Sequence, residues 1–175
     1  VEAGVLNAGE QIKIMPHEQL TRVKSIEKYP HSIAVSSAGE SIGIITEDSV
    51  FLHRGDVVCR DGTEPVFTST FVANIFWLSR RPLAAGERLI LKCSTQETSC
   101  KVEAIRTRID SSTFAILEDN AEHLSNLDVG EVLIKTKKPI ALKIFEDVQE
   151  LGRFVLVRDE NTCAGGIVTC LTPEE

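Results

Sequence analysis

The double glycine near the C-terminus, Gly165-Gly166, is the first feature of the sequence that could take part in chemistry. Glycines that follow an apolar run often cradle a phosphate, because a bare backbone can approach the anion closely. A phosphate loop opens into a helix, whereas this pair continues into the strand-like residues Ile167 to Thr169. Neither G-x-x-x-x-G-K-[ST] nor a strand-following G-x-G-x-x-G occurs. We therefore expect close strand packing or a bulge here, and no nucleotide-binding residue in this chain.

Histidine and cysteine side chains give no sequence pattern that indicates a metal site or a catalytic centre. The histidines are His17, His31, His53 and His123, and the cysteines are Cys59, Cys93, Cys100, Cys163 and Cys170. The histidines have no partner at ligand spacing, so we expect each to be a surface or turn residue. The cysteines contain no C-x-x-C pair and are typical of inert thiols in a reducing compartment. With no nucleophile elbow either, we predict no catalytic, cofactor-binding or metal-ligating residue.

The segment from Trp77 to Pro82 is the strongest candidate for a partner surface. It carries the single tryptophan and the adjacent Arg80 and Arg81 at the end of a predicted strand. In one interpretation Trp77 caps a barrel core and the arginines are solvated in a loop. In the other these residues dock a partner, because Trp and Arg dominate interface energetics. We therefore name Trp77, Arg80 and Arg81 as partner-surface candidates.

The charge and composition of the chain exclude several classes of function. The net charge of −7 over 175 residues gives a nucleic acid no favourable long-range field, so nucleic-acid binding is not expected. No segment approaches the ~20 continuous apolar residues of a membrane span, and no basic, apolar leader is seen. We expect a soluble cytoplasmic protein with no membrane partner.

Apolar residues recur with period two, which predicts an all-β fold. The clearest strand runs from Phe67 to Leu78, and alternation after Gly86 predicts the next strand of a hairpin, with Leu89, Leu91 and Cys93 on one face. The pattern then slips by one residue near Ala104, which predicts a β-bulge. Residues 119–127 alone suggest a helix of about two turns.

Shorter strands are predicted in the first third of the chain, at residues 11–15, 21–26, 41–45 and 56–60. Ala-Gly-Glu occurs at 8–10, 38–40 and 85–87, which we interpret as recurring turn chemistry with glycine at positive φ. The polar, turn-rich stretch 60–65 is the predicted domain boundary. We therefore predict two consecutive small β-barrels, residues 1–64 and 65–175, the first incomplete at its N-terminus.

The order of these motifs resembles a known family. V-E-A-G-V-L-N-A-G-E-Q-I-K-I at 1–14, V-K-S-I-E at 23–27, A-G-E-S-I-G-I at 38–44 and R-G-D-V-V at 54–58 resemble the second domain of translation-factor GTPases such as elongation factor Tu. F-T-S-T-F-V-A-N-I-F-W-L at 67–78, G-E-V-L-I-K-T-K-K-P-I at 130–140, G-R-F-V-L-V-R at 152–158 and A-G-G-I-V at 164–168 resemble the third domain. Residues 76–95 look most like the large, GTP-binding subunit of bacterial sulfate adenylyltransferase.

This resemblance implies a parent enzyme with an upstream G domain that binds GTP and Mg²⁺, and a smaller catalytic subunit that transfers AMP from ATP to sulfate. The present chain is then a non-catalytic fragment with no cofactor of its own, which couples the missing G domain to that partner subunit. Two alternatives stay open: an elongation-factor-like module that binds aminoacyl-tRNA, and a free-standing adaptor barrel.

Overall fold

The structure, a computed structural model, describes residues 1–113 and 115–171. The chain divides into two compact units, Val1–Pro65 and Val66–Glu175, which we call unit 1 and unit 2. Almost every regular element is a β-strand, so the all-β class predicted from the sequence is confirmed. The boundary predicted after Glu64 lies one residue before the division between the units.

Unit 1 is a half-barrel. Its strands are β1 (Val5–Asn7), β2 (Gln11–Met15), β3 (Gln19–Lys28), β4 (His31–Ile33), β5 (Val35–Ser37), β6 (Gly43–Thr46) and β7 (Val57–Cys59). The main sheet has the order β4-β3-β2-β7, with β6 also on β3, and β1 pairs separately with β5. Its small core is formed by Ile12, Val23 and Ile26, so the period-two alternation of β2 and β3 turns one face of the sheet inward.

Unit 2 is a closed barrel. Its strands are β8 (Val66–Trp77), β9 (Leu83–Ala84), β10 (Arg88–Cys93), β11 (Gln96–Ile109), β12 (Ile116–Asp119), β13 (His123–Leu124), β14 (Val129–Leu142), β15 (Arg153–Arg158) and β16 (Asn161–Leu171). The sheet order is β10-β15-β16-β8-β14-β11-β12, and β10 also pairs with β11. That pairing closes six antiparallel strands into a ring and removes their free edges.

The core of unit 2 follows the alternation read from the sequence. Phe71, Ala73, Ile75 and Trp77 of β8 are buried, as predicted for one face of that strand. The β10 residues Leu89, Leu91 and Cys93 are buried in the same core. The β11–β14 register shifts between Val102 and Ala104, which confirms the predicted bulge.

The helix predicted at residues 119–127 is wrong. That segment contains the end of β12 and the short strand β13, which pairs with β9. Asn120 and Leu127 have φ of 52° and 70°, and these left-handed residues exclude a continuous right-handed helix. A single helical turn, α1 (Gln149–Gly152), occurs instead before β15. Within the described part of the chain, no helix combines the length and apolar character needed to cross a membrane.

The three Ala-Gly-Glu turns share one construction, which confirms the predicted turn chemistry. The glycines Gly9, Gly39 and Gly86 have φ of 81°, 88° and 86°. The glutamates Glu10, Glu40 and Glu87 each accept a hydrogen bond from the backbone N–H three residues earlier, at 2.9, 2.8 and 3.4 Å. The same carboxylates meet the cations of Arg60, Lys28 and Arg158 at 2.5, 2.5 and 2.7 Å. Each turn is therefore tied to a distant strand or loop of its own unit.

Candidate functional site

Trp77, the last residue of β8, lies inside unit 2 with 0% of its surface exposed. Its indole N–H donates a hydrogen bond to the carbonyl oxygen of Arg81 at 3.0 Å. Trp77 is therefore a core residue whose polar edge holds the following segment in place, the arrangement that buried tryptophans generally require. Of the three predicted partner-surface residues, Trp77 does not itself reach solvent.

Arg158, at the end of β15, binds the same segment as Trp77 does. Its guanidinium carbon lies 4.9 Å from the centre of the Trp77 ring, within the range of a cation–π contact. Nη1 donates to the carbonyl oxygen of Arg81 at 3.1 Å, and Nη2 donates to that of Pro82 at 3.2 Å. Nη2 also donates to Glu87 Oε2 at 2.7 Å. The two terminal nitrogens of one guanidinium thus bind both the backbone of residues 81–82 and the carboxylate of Glu87.

Residues 78–82, which we call the arginine corner, expose the other two predicted residues. Arg80 and Arg81 are both exposed, and 70% of the Arg81 side chain reaches solvent. The Arg81 backbone N–H donates to Ser79 Oγ at 3.2 Å, and its guanidinium stays 3.9 Å from Glu87. The corner therefore presents two cationic side chains from a backbone that is held firmly to the barrel.

Exposed apolar side chains lie in the arginine corner and beside it. Leu78 is 46% exposed, and Phe76 and Leu127 are 38% and 53% exposed. Leu127 is close because its backbone N–H donates to the carbonyl oxygen of Trp77 at 2.8 Å. Asn126 closes the same loop with a 2.8 Å hydrogen bond to the Leu78 carbonyl oxygen. Apolar and aromatic side chains next to arginine are the composition that protein interfaces favour.

Sequence reasoning found the two exposed arginines of this surface and missed Arg158. The position of Arg158 at the end of an apolar strand could have indicated its role, because a cation there must either reach solvent or pair with a carboxylate. Docking of a partner by Arg80 and Arg81 stays a prediction.

The double glycine belongs to the scaffold, as predicted. Gly165 and Gly166 both lie within β16, where Gly166 pairs with Phe154 and Ile75 on the two flanking strands. A Cβ at Gly166 would lie 2.5 Å from the Phe154 ring and 2.9 Å from Ile75 Cγ2. Gly166 is therefore required by close packing inside the barrel and not by a phosphate.

The structure brings two of the four histidines together, although His17 and His53 are both exposed residues outside the strands, as expected. Their ring centroids are 6.1 Å apart, and Asp56 joins them in one cluster in unit 1. No local spacing in the sequence indicates this cluster, because His17 and His53 are brought together by the pairing of β2 with β7. His31 and His123 are exposed strand residues, as expected for surface positions.

Cys93, Cys100, Cys163 and Cys170 form no disulfide. Cys93, Cys100 and Cys163 are buried, and burial raises the pKa of Cys93 to about 11 and that of Cys100 to about 12. A thiol with so high a pKa is almost wholly protonated at neutral pH, so these two are poor nucleophiles. Cys170 is exposed.

Comparison with known proteins decides the family. Residues 70–169 match the model of the GTP-eEF1A C-terminal domain-like family, which is more than half of the chain. The chain belongs to this family. The resemblance inferred from the motifs is therefore confirmed, and the matched range covers the barrel strands from β8 to β16 together with the arginine corner.

Three curated proteins illustrate what this chain is similar to. Bifunctional enzyme NodQ of Rhizobium sp. (strain N33) is 29% identical over 90% of this chain and 24% of its own length. Sulfate adenylyltransferase subunit 1 of Tolumonas auensis is 27% identical over 90% of this chain and 33% of its own length. Elongation factor 1-alpha of Methanopyrus kandleri is 29% identical over 100% of this chain and 44% of its own length. The chain thus spans less than half the length of these relatives.

Solved structures give the same fold. A crystal structure of Sup35 complexed with GMPPNP matches 98% of this chain with a TM-score of 0.87 at 20% identity, and the match covers 42% of the Sup35 chain. The fold of this chain is therefore shared with Sup35 although four residues in five differ.

Proposed function

We propose that this chain is a non-catalytic pair of β-barrels from a GTP-dependent sulfate adenylyltransferase subunit, a nucleotidyltransferase that serves sulfate assimilation in the cytoplasm. In this proposal a G domain of the parent protein binds GTP and Mg²⁺, and a smaller catalytic subunit forms adenylyl sulfate from ATP and sulfate. The two barrels relay the nucleotide state of the G domain to that subunit. The similarity to sulfate adenylyltransferase subunit 1 supports this assignment.

The observation that carries the proposal is the rigid arginine corner. Arg158 and Trp77 bind its backbone through three hydrogen bonds, so Arg80 and Arg81 start from a fixed main chain. A preorganised surface loses less conformational entropy on binding than a mobile loop does. Because the corner is fixed to the barrel, a displacement of the barrel also moves the docking surface.

The charge of the chain favours a protein partner over a nucleic acid. The net charge is −7, so the long-range field repels a phosphate backbone while the corner attracts carboxylates locally. Arg81 is already near Glu87 at 3.9 Å, a distance that leaves its guanidinium available to an incoming carboxylate. We expect the partner surface to carry acidic residues.

The second candidate is an elongation-factor module that binds aminoacyl-tRNA. Elongation factor 1-alpha proteins of several archaea align with 96–100% of this chain, which is more than the sulfate adenylyltransferase relatives cover. This function would require local basic groups to overcome the acidic total charge, and its affinity would fall steeply with salt.

Calorimetric titration with the small catalytic subunit of sulfate adenylyltransferase tests the proposal. We expect binding that weakens by more than about tenfold in the double variant Arg80→Glu, Arg81→Glu, the loss of about 1.4 kcal/mol or more that interface arginines often give. The matched control is Lys137→Glu, Lys138→Glu, because it makes the same charge change on exposed residues of β14 away from the corner.

If both double variants bind the small catalytic subunit with equal affinity, the arginine corner is not the docking surface. Absence of subunit binding, together with salt-sensitive retention of aminoacyl-tRNA on filters, would favour the elongation-factor function. The same chain should give no heat with GTP, and micromolar GTP binding would contradict a non-catalytic role.

A further inference from the structure

The end of the β2–β7 pair in unit 1 brings three possible metal ligands together. Met15, the last residue of β2, pairs with Val57, the first residue of β7. His17 follows β2 by two residues, and Asp56 immediately precedes β7. Because the two strands are antiparallel, the segment that leaves β2 and the segment that enters β7 meet at the same end of the sheet.

Asp56 is already fixed in position. Its side chain is 8% exposed, and Oδ2 accepts a hydrogen bond from the His53 backbone N–H at 2.7 Å. The Asp56 backbone N–H donates in return to the His53 carbonyl oxygen at 3.0 Å. This reciprocal turn explains why Asp56 faces His53, whose Nδ1 lies 3.8 Å from the carboxylate. His17 takes no part in this turn and reaches the cluster from the segment after β2.

The three side chains have the spacing of an open ligand set. One ligand atom from each of His17, His53 and Asp56 lies within 4.8 Å of the other two. Ligands at the ~2.0–2.2 Å bond lengths of tetrahedral zinc are roughly 3.3–3.6 Å apart, so no pair of ligand atoms has to close by more than about 1.5 Å. Both imidazoles are exposed and can rotate by that amount, while the buried carboxylate stays in place.

We propose that His17, His53 and Asp56 bind one divalent metal ion of the zinc class. Two imidazole nitrogens and one carboxylate oxygen suit Zn²⁺ and its neighbours, whereas Mg²⁺ and Ca²⁺ prefer oxygen ligands throughout. Three protein ligands leave a fourth position open on the exposed side, where water or a partner's side chain completes the tetrahedron. The ion ties the segment after β2 to the turn before β7 and so stabilises unit 1.

Zinc titration of the reduced 175-residue chain by calorimetry, after chelator treatment, tests this site. We expect one Zn²⁺ per chain and a higher thermal unfolding midpoint when zinc is present. His17→Asn and His53→Asn should each weaken binding by more than about tenfold, the range already caused by losing a hydrogen-bond partner of a ligand. Asp56→Asn should do the same while its amide oxygen still accepts the His53 N–H, so this variant keeps the turn.

His31→Asn is the matched control, because His31 is an exposed histidine of the same unit on β4 and should leave binding unchanged. Cobalt substitution separates this site from the exposed thiol of Cys170, since a thiolate ligand adds a sulfur-to-cobalt charge-transfer band that imidazole and carboxylate ligands do not. Binding no tighter than about 100 µM (about −5.5 kcal/mol) would overturn the proposal. Binding that survives in the His17 and His53 variants, or that disappears in Cys170→Ser, would do so as well.

Discussion

Arg158 shows how one side chain can hold the backbone of the arginine corner in place. Its side chain is 10% exposed, yet it contacts an indole ring, two backbone carbonyl groups and a carboxylate. A lysine at this position would keep the charge but not the planar fork that reaches these partners together. The position of the exposed Arg80 and Arg81 therefore depends on Arg158, whose side chain is largely shielded from solvent.

We expect Arg158→Lys to destabilise unit 2 by about 1–2 kcal/mol, because charge-assisted hydrogen bonds are lost while Glu87 stays half-buried. Urea unfolding followed by tryptophan fluorescence measures this directly, since Trp77 is the single tryptophan and lies in unit 2. The control is Arg153→Lys on the same strand, whose side chain is 61% exposed and 3.4 Å from Glu150. That change should cost less than about 0.5 kcal/mol. Equal costs would show that the fork of Arg158 contributes nothing specific.

At the scale of elements, β16 determines how the barrel closes. It lies between β15 and β8, and Gly166 is the point where no side chain fits between Phe154 and Ile75. Phe154 packs edge-on against Phe71 with ring centroids 5.7 Å apart, so its ring cannot move away freely. The absence of a Cβ thus permits an aromatic pair in the core.

Gly166→Ala should destabilise unit 2 by about 1–3 kcal/mol, the usual cost of an extra methyl group in a packed core. Its neighbour is an unusually close control, because a Cβ at Gly165 meets no atom within 4 Å. Gly165→Ala should change the stability by less than about 0.5 kcal/mol. The measurement is the urea midpoint from Trp77 fluorescence. Similar losses in both variants would mean that backbone freedom, and not the Phe154 contact, explains the glycines.

The sequence predicted strands well where alternation was long and poorly where turns decided the structure. Apolar residues alternate along eleven or more residues of β8, so that strand was easily predicted. A one-residue shift in the apolar alternation of β11 located the bulge near Ala104. The false helix at 119–127 has helix-compatible residue types, and its exclusion depends on left-handed φ at Asn120 and Leu127, where no glycine announces the turn.

The sites could be predicted only as far as their residues are neighbours in sequence. Arg80 and Arg81 were found because they are adjacent to Trp77. The His17–His53 pair depends on the pairing of two distant segments, β2 and β7. The contact of Arg158 with Trp77 depends in the same way on the pairing of β15 with β16 and of β16 with β8. Register between such segments is set by the whole sheet, so no local spacing reveals it.

For the whole molecule, the two units differ in what stabilises them. Unit 2 has a closed barrel and a large core, whereas the core cluster of unit 1 contains Ile12, Val23 and Ile26 as its buried members. A small core leaves a larger share of stability to polar contacts. Most of the described carboxylates with a lowered pKa are indeed in unit 1, namely Glu10, Glu27, Glu40 and Glu64, against Asp110 in unit 2.

Acid should therefore unfold unit 1 before unit 2. The hydrogen bond from Lys28, followed by that from the Ser37 N–H, lowers the pKa of Glu40 to about 2. The pKa of Glu64 is also lowered to about 2, first by a hydrogen bond from the Glu64 backbone N–H and then by the hydrogen bond from Lys13. In the unfolded chain the pKa of a glutamate is near 4.3. Between about pH 2 and pH 4.3 the unfolded state therefore binds more protons than the folded state does. The stabilisation is complete above about pH 5 and is lost as the pH falls toward 2.

Isoleucine methyl signals in NMR spectra can follow each unit separately during urea titrations at pH 6, 4 and 3. We expect the midpoint reported by Ile12 and Ile26 to fall with pH more steeply than the midpoint reported by Ile75. Glu40→Gln should lower the unit 1 midpoint at pH 6 and flatten its pH dependence, because the charged hydrogen bond to Lys28 is lost. Asp110→Asn is the control, since Asp110 accepts hydrogen bonds within its own turn in unit 2 and should leave unit 1 unchanged. A unit 1 midpoint that is equal at pH 6 and pH 3 would show that these carboxylates do not stabilise the half-barrel.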